Sequence, residues 1–197
     1  MKPRYSNLIE VGCDEAGRGS LCGPVVAAAV ILPNDFFNND LNDSKKISFK
    51  KRNELSEIIY KEALACEIGI VSPKEIDKIN ILQASILSMH KAIEKITLTF
   101  ELILVDGPHF KKYKNFNHKC IIRGDSKYQA IAAASIIAKT YRDELMMKMH
   151  VDYPQYKWCR NKGYPTPEHR QAIINFGITN HHRKSFKLIN NQTTLNI

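Results

Sequence analysis

The 197-residue sequence has no long hydrophobic run. Its longest apolar stretch, between Pro24 and Pro33, is too short to cross a bilayer and reads instead as a buried strand. The N-terminal residues MKPRYSNLIE lack the apolar segment of a secretory leader, so a cytoplasmic location is expected. Cysteine is sparse. The five cysteines, at 13, 22, 66, 120 and 159, form no CxxC pair and leave one over, which argues against both a thiolate zinc site and a disulfide framework. Repeats, low-complexity tracts and linker-like stretches are missing, so a single domain over residues 1–197 is expected, and the lack of any heptad pattern points to a monomer. Acid is the scarcer charge. Against 29 Lys and Arg stand 20 Asp and Glu, a formal net charge of +9 that favours a polyanionic partner such as nucleic acid.

What is present reads as an α/β chain. Residues 8–13 and 25–32 are short apolar runs joined by a turn-rich segment, which predicts a hairpin. A helix is expected over 49–64 with Ser48 as its cap, then a strand over 66–71. Ser72 and Pro73 open a second helix, in which Ile76, Ile79, Leu82, Ile86, Met89 and Ile93 recur at helical spacing to about Lys95. Strands over 101–105 and 119–122 follow, and small residues on one face predict a long helix over 128–150. Beyond Pro154 the chain is rich in Pro, Gly and aromatic residues up to a helix near 167–176, and residues 190–197 read as a polar tail.

Carboxylates stand where predicted strands stop: Asp14 and Glu15 after the first, Asp106 after the fourth, Asp125 after the fifth. Ligand sites of α/β sheets lie at strand ends, so these groups can converge despite their separation in sequence. Gathered carboxylates repel one another, and an oxygen-only ligand set suits Mg2+ or Mn2+. Taken singly, each aspartate is also an ordinary turn residue. Two glycine-loop alternatives fail. Gly12 and Gly17 have phosphate-loop spacing, but Arg18-Gly19 stands where Lys-Ser/Thr is required; Gly17, Gly19 and Gly23 are one residue too long for a dinucleotide fingerprint and lead into a strand.

The run Asp14-Glu15-Ala16-Gly17-Arg18-Gly19, continued by Gly23-Pro24-Val25, resembles the ribonuclease HII signature. Further blocks follow in family order: Asp43-Ser44-Lys45-Lys46-Ile47-Ser48; Val105-Asp106-Gly107; Gly124-Asp125; IAAASIIAK at 131–139 with Arg142-Asp143; Gly163-Tyr164-Pro165-Thr166 with His169; and His182-Arg183-Lys184-Ser185-Phe186. They span residues 8–186. The resemblance implies a ribonuclease H-like fold, a central mixed five-stranded sheet flanked by helices. In it an α/β core over about 8–150 precedes a C-terminal helical, substrate-binding extension over about 151–189. It also implies a metal-dependent endonuclease that cuts the RNA strand of RNA/DNA hybrids and nicks duplex DNA 5′ to embedded ribonucleotides.

On that resemblance Asp14, Glu15, Asp106 and Asp125 are the catalytic carboxylates and hold the divalent metal, Mn2+ or Mg2+. Gly17, Arg18 and Gly19 read the 2′-hydroxyl, and Tyr164 senses the deoxyribonucleotide beside it. Lys45, Lys46, Arg142, Arg183 and Lys184 are candidate phosphate contacts; Lys111, Lys112 and Lys114 are weaker ones. His169 and His182 either position substrate or hydrogen-bond among the C-terminal helices. Cys13 and Ser135 read as packing residues. A non-catalytic basic binding domain and a structure-specific DNA nuclease are the rival readings.

Overall fold

The computed structural model describes residues 1–44 and 47–189. In chain order it places β1 (Glu10–Ala16), β2 (Val25–Ile31), α1 (Phe49–Glu62), β3 (Ala65–Val71), α2 (Pro73–Ile93), β4 (Leu102–Asp106), β5 (Asn117–Ile121), α3 (Gln129–Asp152), α4 (Trp158–Asn161) and α5 (Pro167–Phe176). Single 3-10 turns lie at Gly124–Ser126 and Pro154–Tyr156. The strands form one mixed sheet in the order β3-β2-β1-β4-β5. The first three pair antiparallel, and β4 and β5 add on parallel to β1.

The period of two along a strand sorts the core onto both faces of this sheet. In β2, Ala28 and Val30 pack with Leu55 and Ile59 of α1 and the alanine row of α3, whereas Ala27, Ala29 and Ile31 pack with Met89, Ala92 and Ile93 of α2. The α3 helix lies close to β1 because small residues line the contact. A Cβ at Gly12 would stand 2.2 Å from the carbonyl carbon of Ala130. A further cluster, with Leu21, Cys22, Met146, Tyr156, Trp158, Ala172 and Ile173, joins the C-terminal elements to α3 and to the segment between β1 and β2.

Three elements differ from the sequence expectation. The β1 strand continues to Ala16, so Asp14 and Glu15 are strand residues instead of following it. The α2 helix is broken at Asn80 (φ 63°, ψ 166°), whose side chain accepts from the Gln83 N–H at 3.1 Å and so caps the second segment. Finally, β5 begins at Asn117, and Asp125 sits in the 3-10 turn after it, not at the strand's end. The tail over 190–197 and the pair Lys45 and Lys46 lie outside the described residues.

Candidate active site

The strand pairing brings two of the sequence-predicted carboxylates together. In the parallel β1/β4 ladder Cys13 stands opposite Val105, so the next residues, Asp14 and Asp106, are neighbours across strands spaced about 4.8 Å apart. Alternation fixes their face. Cys13 and Val105 enter the α2-side core, so Asp14 and Asp106 point toward α3. With Glu15 they line a cleft of about 940 Å³. Asp125 is not among its lining residues, but its turn is tied to the site: the Gly124 N–H donates to Asp106 Oδ1 at 2.7 Å.

Burial is the first cause that raises the Asp14 carboxyl well above the usual range, and the charges of Glu15 and Asp106 add to it. The Ser135 hydroxyl and the Glu15 N–H, which donates to Asp14 Oδ1 at 2.7 Å, act in the opposite direction. Arg18 Nη1 lies 3.2 Å from Glu15 Oε1 and neutralises part of the excess. A divalent cation relieves this kind of crowding, and the donors are all oxygen, so the chemistry of the set fits Mg2+ or Mn2+. Among the described residues no three His, Cys, Asp or Glu side chains are gathered closely enough to enclose an ion. Cys13 is fully buried and its thiol is pushed far up, first by burial and then by Asp14 and Glu15, which leaves it a packing residue.

One stripe of α3 forms the opposite wall, through Ser135, Lys139 and Asp143. The Ser135 hydroxyl is 2.9 Å from that of Ser44, so it serves the site rather than capping a carbonyl of its own helix. Asp143 accepts from Lys139 Nζ at 2.6 Å and from Arg52 Nη2 at 2.7 Å, and Arg52 Nη1 donates to the Ser44 carbonyl at 3.3 Å. This buried ion cluster fixes the segment that leads to Lys45. Sequence reading missed Ser44, Arg52, Lys139 and Asp143 as site residues; the spacing 135, 139, 143 on one helix was the available signal.

Arg18, Gly17, Gly19 and Tyr164 share the same cleft. The two glycines differ. A Cβ at Gly17 (φ +96°) would lie 2.1 Å from Arg142 Nε, whereas one at Gly19 would meet nothing within 4 Å. Gly17 is therefore demanded by internal packing, and Gly19 leaves its backbone open to the cleft.

The expectation that Arg142 and Arg183 contact phosphates is corrected. Both are 0% exposed, and their side-chain hydrogen bonds run to backbone carbonyls. Arg142 donates from Nε to Pro24 (3.0 Å), from Nη1 to Lys162 (2.9 Å) and from Nη2 to Cys22 (3.0 Å). Arg183 donates from Nε to Gly23 (3.0 Å) and from Nη1 to Arg18 (2.9 Å). Lys184 is exposed but outside the cleft lining, its N–H held by Asp77. His169 and His182 are buried and bonded to each other, with Nε2 atoms 3.3 Å apart, and His169 Nδ1 lies 3.0 Å from the Tyr164 carbonyl.

The family model for Ribonuclease HII matches residues 11–189. A ribonuclease HII of Parabacteroides distasonis is 58% identical over 95% of this chain and 94% of its own. The ribonuclease HII of Archaeoglobus fulgidus, solved in complex with PCNA, is 28% identical with a TM-score of 0.76, covering 95% of this chain and 98% of its own. Ribonuclease H2 from Pyrococcus horikoshii shares the fold with a TM-score of 0.78 at 23% identity, over 91% of this chain and 94% of its own. With carboxylates of two parallel strands facing one cleft and matches of this extent, the chain belongs to the ribonuclease HII family and is a ribonuclease H endonuclease.

Proposed function

We propose that this chain cuts the RNA strand of RNA/DNA hybrids and nicks duplex DNA on the 5′ side of an embedded ribonucleotide, leaving 5′-phosphate and 3′-hydroxyl ends, in the service of ribonucleotide removal from DNA. The observation that carries this reading is the β1/β4 register, which sets Asp14 beside Asp106 in a cleft shared with the open Gly19 backbone and Tyr164. Asp14, Glu15, Asp106 and Asp125 would hold two divalent ions, Mn2+ or Mg2+. Bound there, the metal supplies activation of a water and stabilisation of the leaving 3′ oxygen during in-line attack.

The chain's own groups bind and orient. Backbone N–H and C=O groups around Gly19 can both donate to and accept from a 2′-hydroxyl, which is what separates RNA from DNA. The Tyr164 ring stacks on the neighbouring nucleotide, a contact worth roughly 1–3 kcal/mol. Arg18, Lys139, Arg160 and Lys162 line the cleft and offset the carboxylates, which alone would repel a phosphate backbone.

The decisive assay incubates the protein with a DNA duplex containing one ribonucleotide, in Mg2+ or Mn2+, and maps the nick. Cutting on the 5′ side of the ribonucleotide, with the all-DNA control intact, is expected. No cutting in either metal, or equal cutting of the control, rejects the reading.

A further inference from the structure

Two segments carry the proposed readers, residues 17–24 and residues 162–166, and they touch directly. The Leu21 N–H donates to the Gly163 carbonyl at 2.8 Å. Gly163 has φ +79°, and a Cβ there would lie 2.6 Å from the Cys22 carbonyl oxygen. Arg142 adds a side-chain tie to that main-chain bond between the same two segments. Its planar fork grips Cys22 and Pro24 on one segment and Lys162 on the other, its Nε lies over Gly17, and its Cζ stands 5.5 Å from the centroid of the Tyr164 ring. Five donors at fixed angles suit a guanidinium to such a grip, and an ammonium cannot reach all three carbonyls at once.

A buried guanidinium is costly to desolvate, and burial is indeed the first cause of its lowered pKa. Packing alone would be served by an apolar side chain, as buried charges often can be replaced. What the arginine adds over an apolar side chain is a set of directed bonds by which one planar group ties the segment that carries Gly19 to the segment that carries Tyr164. On the reading above Gly19 faces the ribose and Tyr164 the adjoining nucleotide, so their separation has to match one nucleotide step, and small errors in such spacing cost large factors in rate.

We propose that Arg142 is the positioning residue for junction recognition: it touches no substrate and sets the separation of the 2′-hydroxyl reader from Tyr164. This rests on the junction-nicking reading given above. The test is a double-mutant cycle on nicking of the single-ribonucleotide duplex, with wild type, Arg142→Lys, Tyr164→Ala and the double variant. Arg142→Gln serves as a second route if the lysine variant does not fold, and melting temperature is followed for all.

If Arg142 acts through Tyr164, each single change lowers kcat/KM about tenfold and the double variant is no slower than Tyr164→Ala alone, within about threefold. Penalties that multiply, or an Arg142 variant with the wild-type rate, overturn the proposal, because a purely structural role gives independent losses. A wild-type protein that cuts continuous hybrids but not the embedded ribonucleotide rejects the junction reading and this proposal with it. That result is distinguished by being visible before any variant is made.

Discussion

At the scale of single residues, the two glycines flanking Arg18 do different work, and substitution separates them. Gly17→Ala places a methyl group against the Arg142 side chain at φ +96°, so a loss of about 1–3 kcal/mol in chemical denaturation is expected. Gly19→Ala meets no protein atom and should leave the melting temperature unchanged while slowing nicking of the single-ribonucleotide duplex by about tenfold or more, since the methyl group fills space the sugar needs. Equal losses of stability in both variants would contradict the division. The carboxylates give a second pair of expectations. Asp14→Asn removes a buried charge that Glu15 and Asp106 oppose, and its amide oxygen can still accept the Glu15 N–H. Asp106→Asn keeps an acceptor for Gly124. Both should lose turnover in Mg2+ and Mn2+ and, in chelator, melt no lower than wild type. A fall in melting temperature beyond about 4 °C, roughly 1 kcal/mol or more for a chain of this size, would make these aspartates supports of the fold rather than site residues.

At the scale of elements, α2 has a task beyond covering the sheet. Ser72 and Glu75 form a capping box at its start, and the helix breaks at Asn80. On the segment before the break, Asp77 accepts from the Lys184 N–H (3.0 Å), the Ser185 N–H (2.9 Å) and the Ser185 hydroxyl (2.6 Å). This clamp holds the strand of chain from which Arg183 reaches back to Arg18 and Gly23. Asp77→Ala is expected to cost about 1–2 kcal/mol, a drop of about 2–6 °C in thermal denaturation, and to raise amide hydrogen exchange over residues 17–24; unchanged exchange there would confine Asp77 to local capping. The Ser72-Pro73 start and helical period of α2, the small-residue face of α3 and the fully apolar β2 were legible in the sequence because each is a local pattern with a local cause. The extent of β1 was not, since two carboxylates before a glycine carry the marks of a turn and only pairing with β2 and β4 keeps them extended. Arg142 and Arg183 misled for a related reason. Their partners are main-chain carbonyls, which every residue possesses and no residue type announces, so a cation next to a basic block reads as a phosphate contact until the chain is folded around it.

At the scale of the whole molecule, the C-terminal elements are joined to the cleft through an imidazole chain whose proton positions can be assigned. The Thr179 N–H donates to His182 Nδ1 at 2.9 Å, so the His182 proton is on Nε2 and points at His169 Nε2, 3.3 Å away. The Trp158 indole also donates to His169 Nε2 at 3.0 Å, so the His169 proton is on Nδ1 and donates to the Tyr164 carbonyl. Both rings are neutral in this arrangement, and a second proton on either would face a donor. Burial is the first cause that lowers both pKa values, with His182 carried to about 4 by the further effect of His169 and His181. A histidine whose pKa is lowered on folding contributes stability that is complete above its unfolded value, about 6.5, and is lost as pH falls toward the folded value. As pH falls below 6.5 the unfolded chain binds a proton at His182 that the folded one refuses until about pH 4, so stability should fall by up to about 1.4 kcal/mol per pH unit on its account, with His169 acting in the same direction and the raised Asp14 carboxyl opposing. Denaturant titrations read by fluorescence of Trp158, the chain's one tryptophan and itself part of the chain of bonds, measure this directly. His182→Asn should flatten the decline. Because the last link is the Tyr164 carbonyl, nicking of the single-ribonucleotide duplex should fail in the same pH window before the protein unfolds. A pH profile of stability between 7 and 5 that His182→Asn leaves unchanged would show that the C-terminal elements do not hold Tyr164 through the imidazoles.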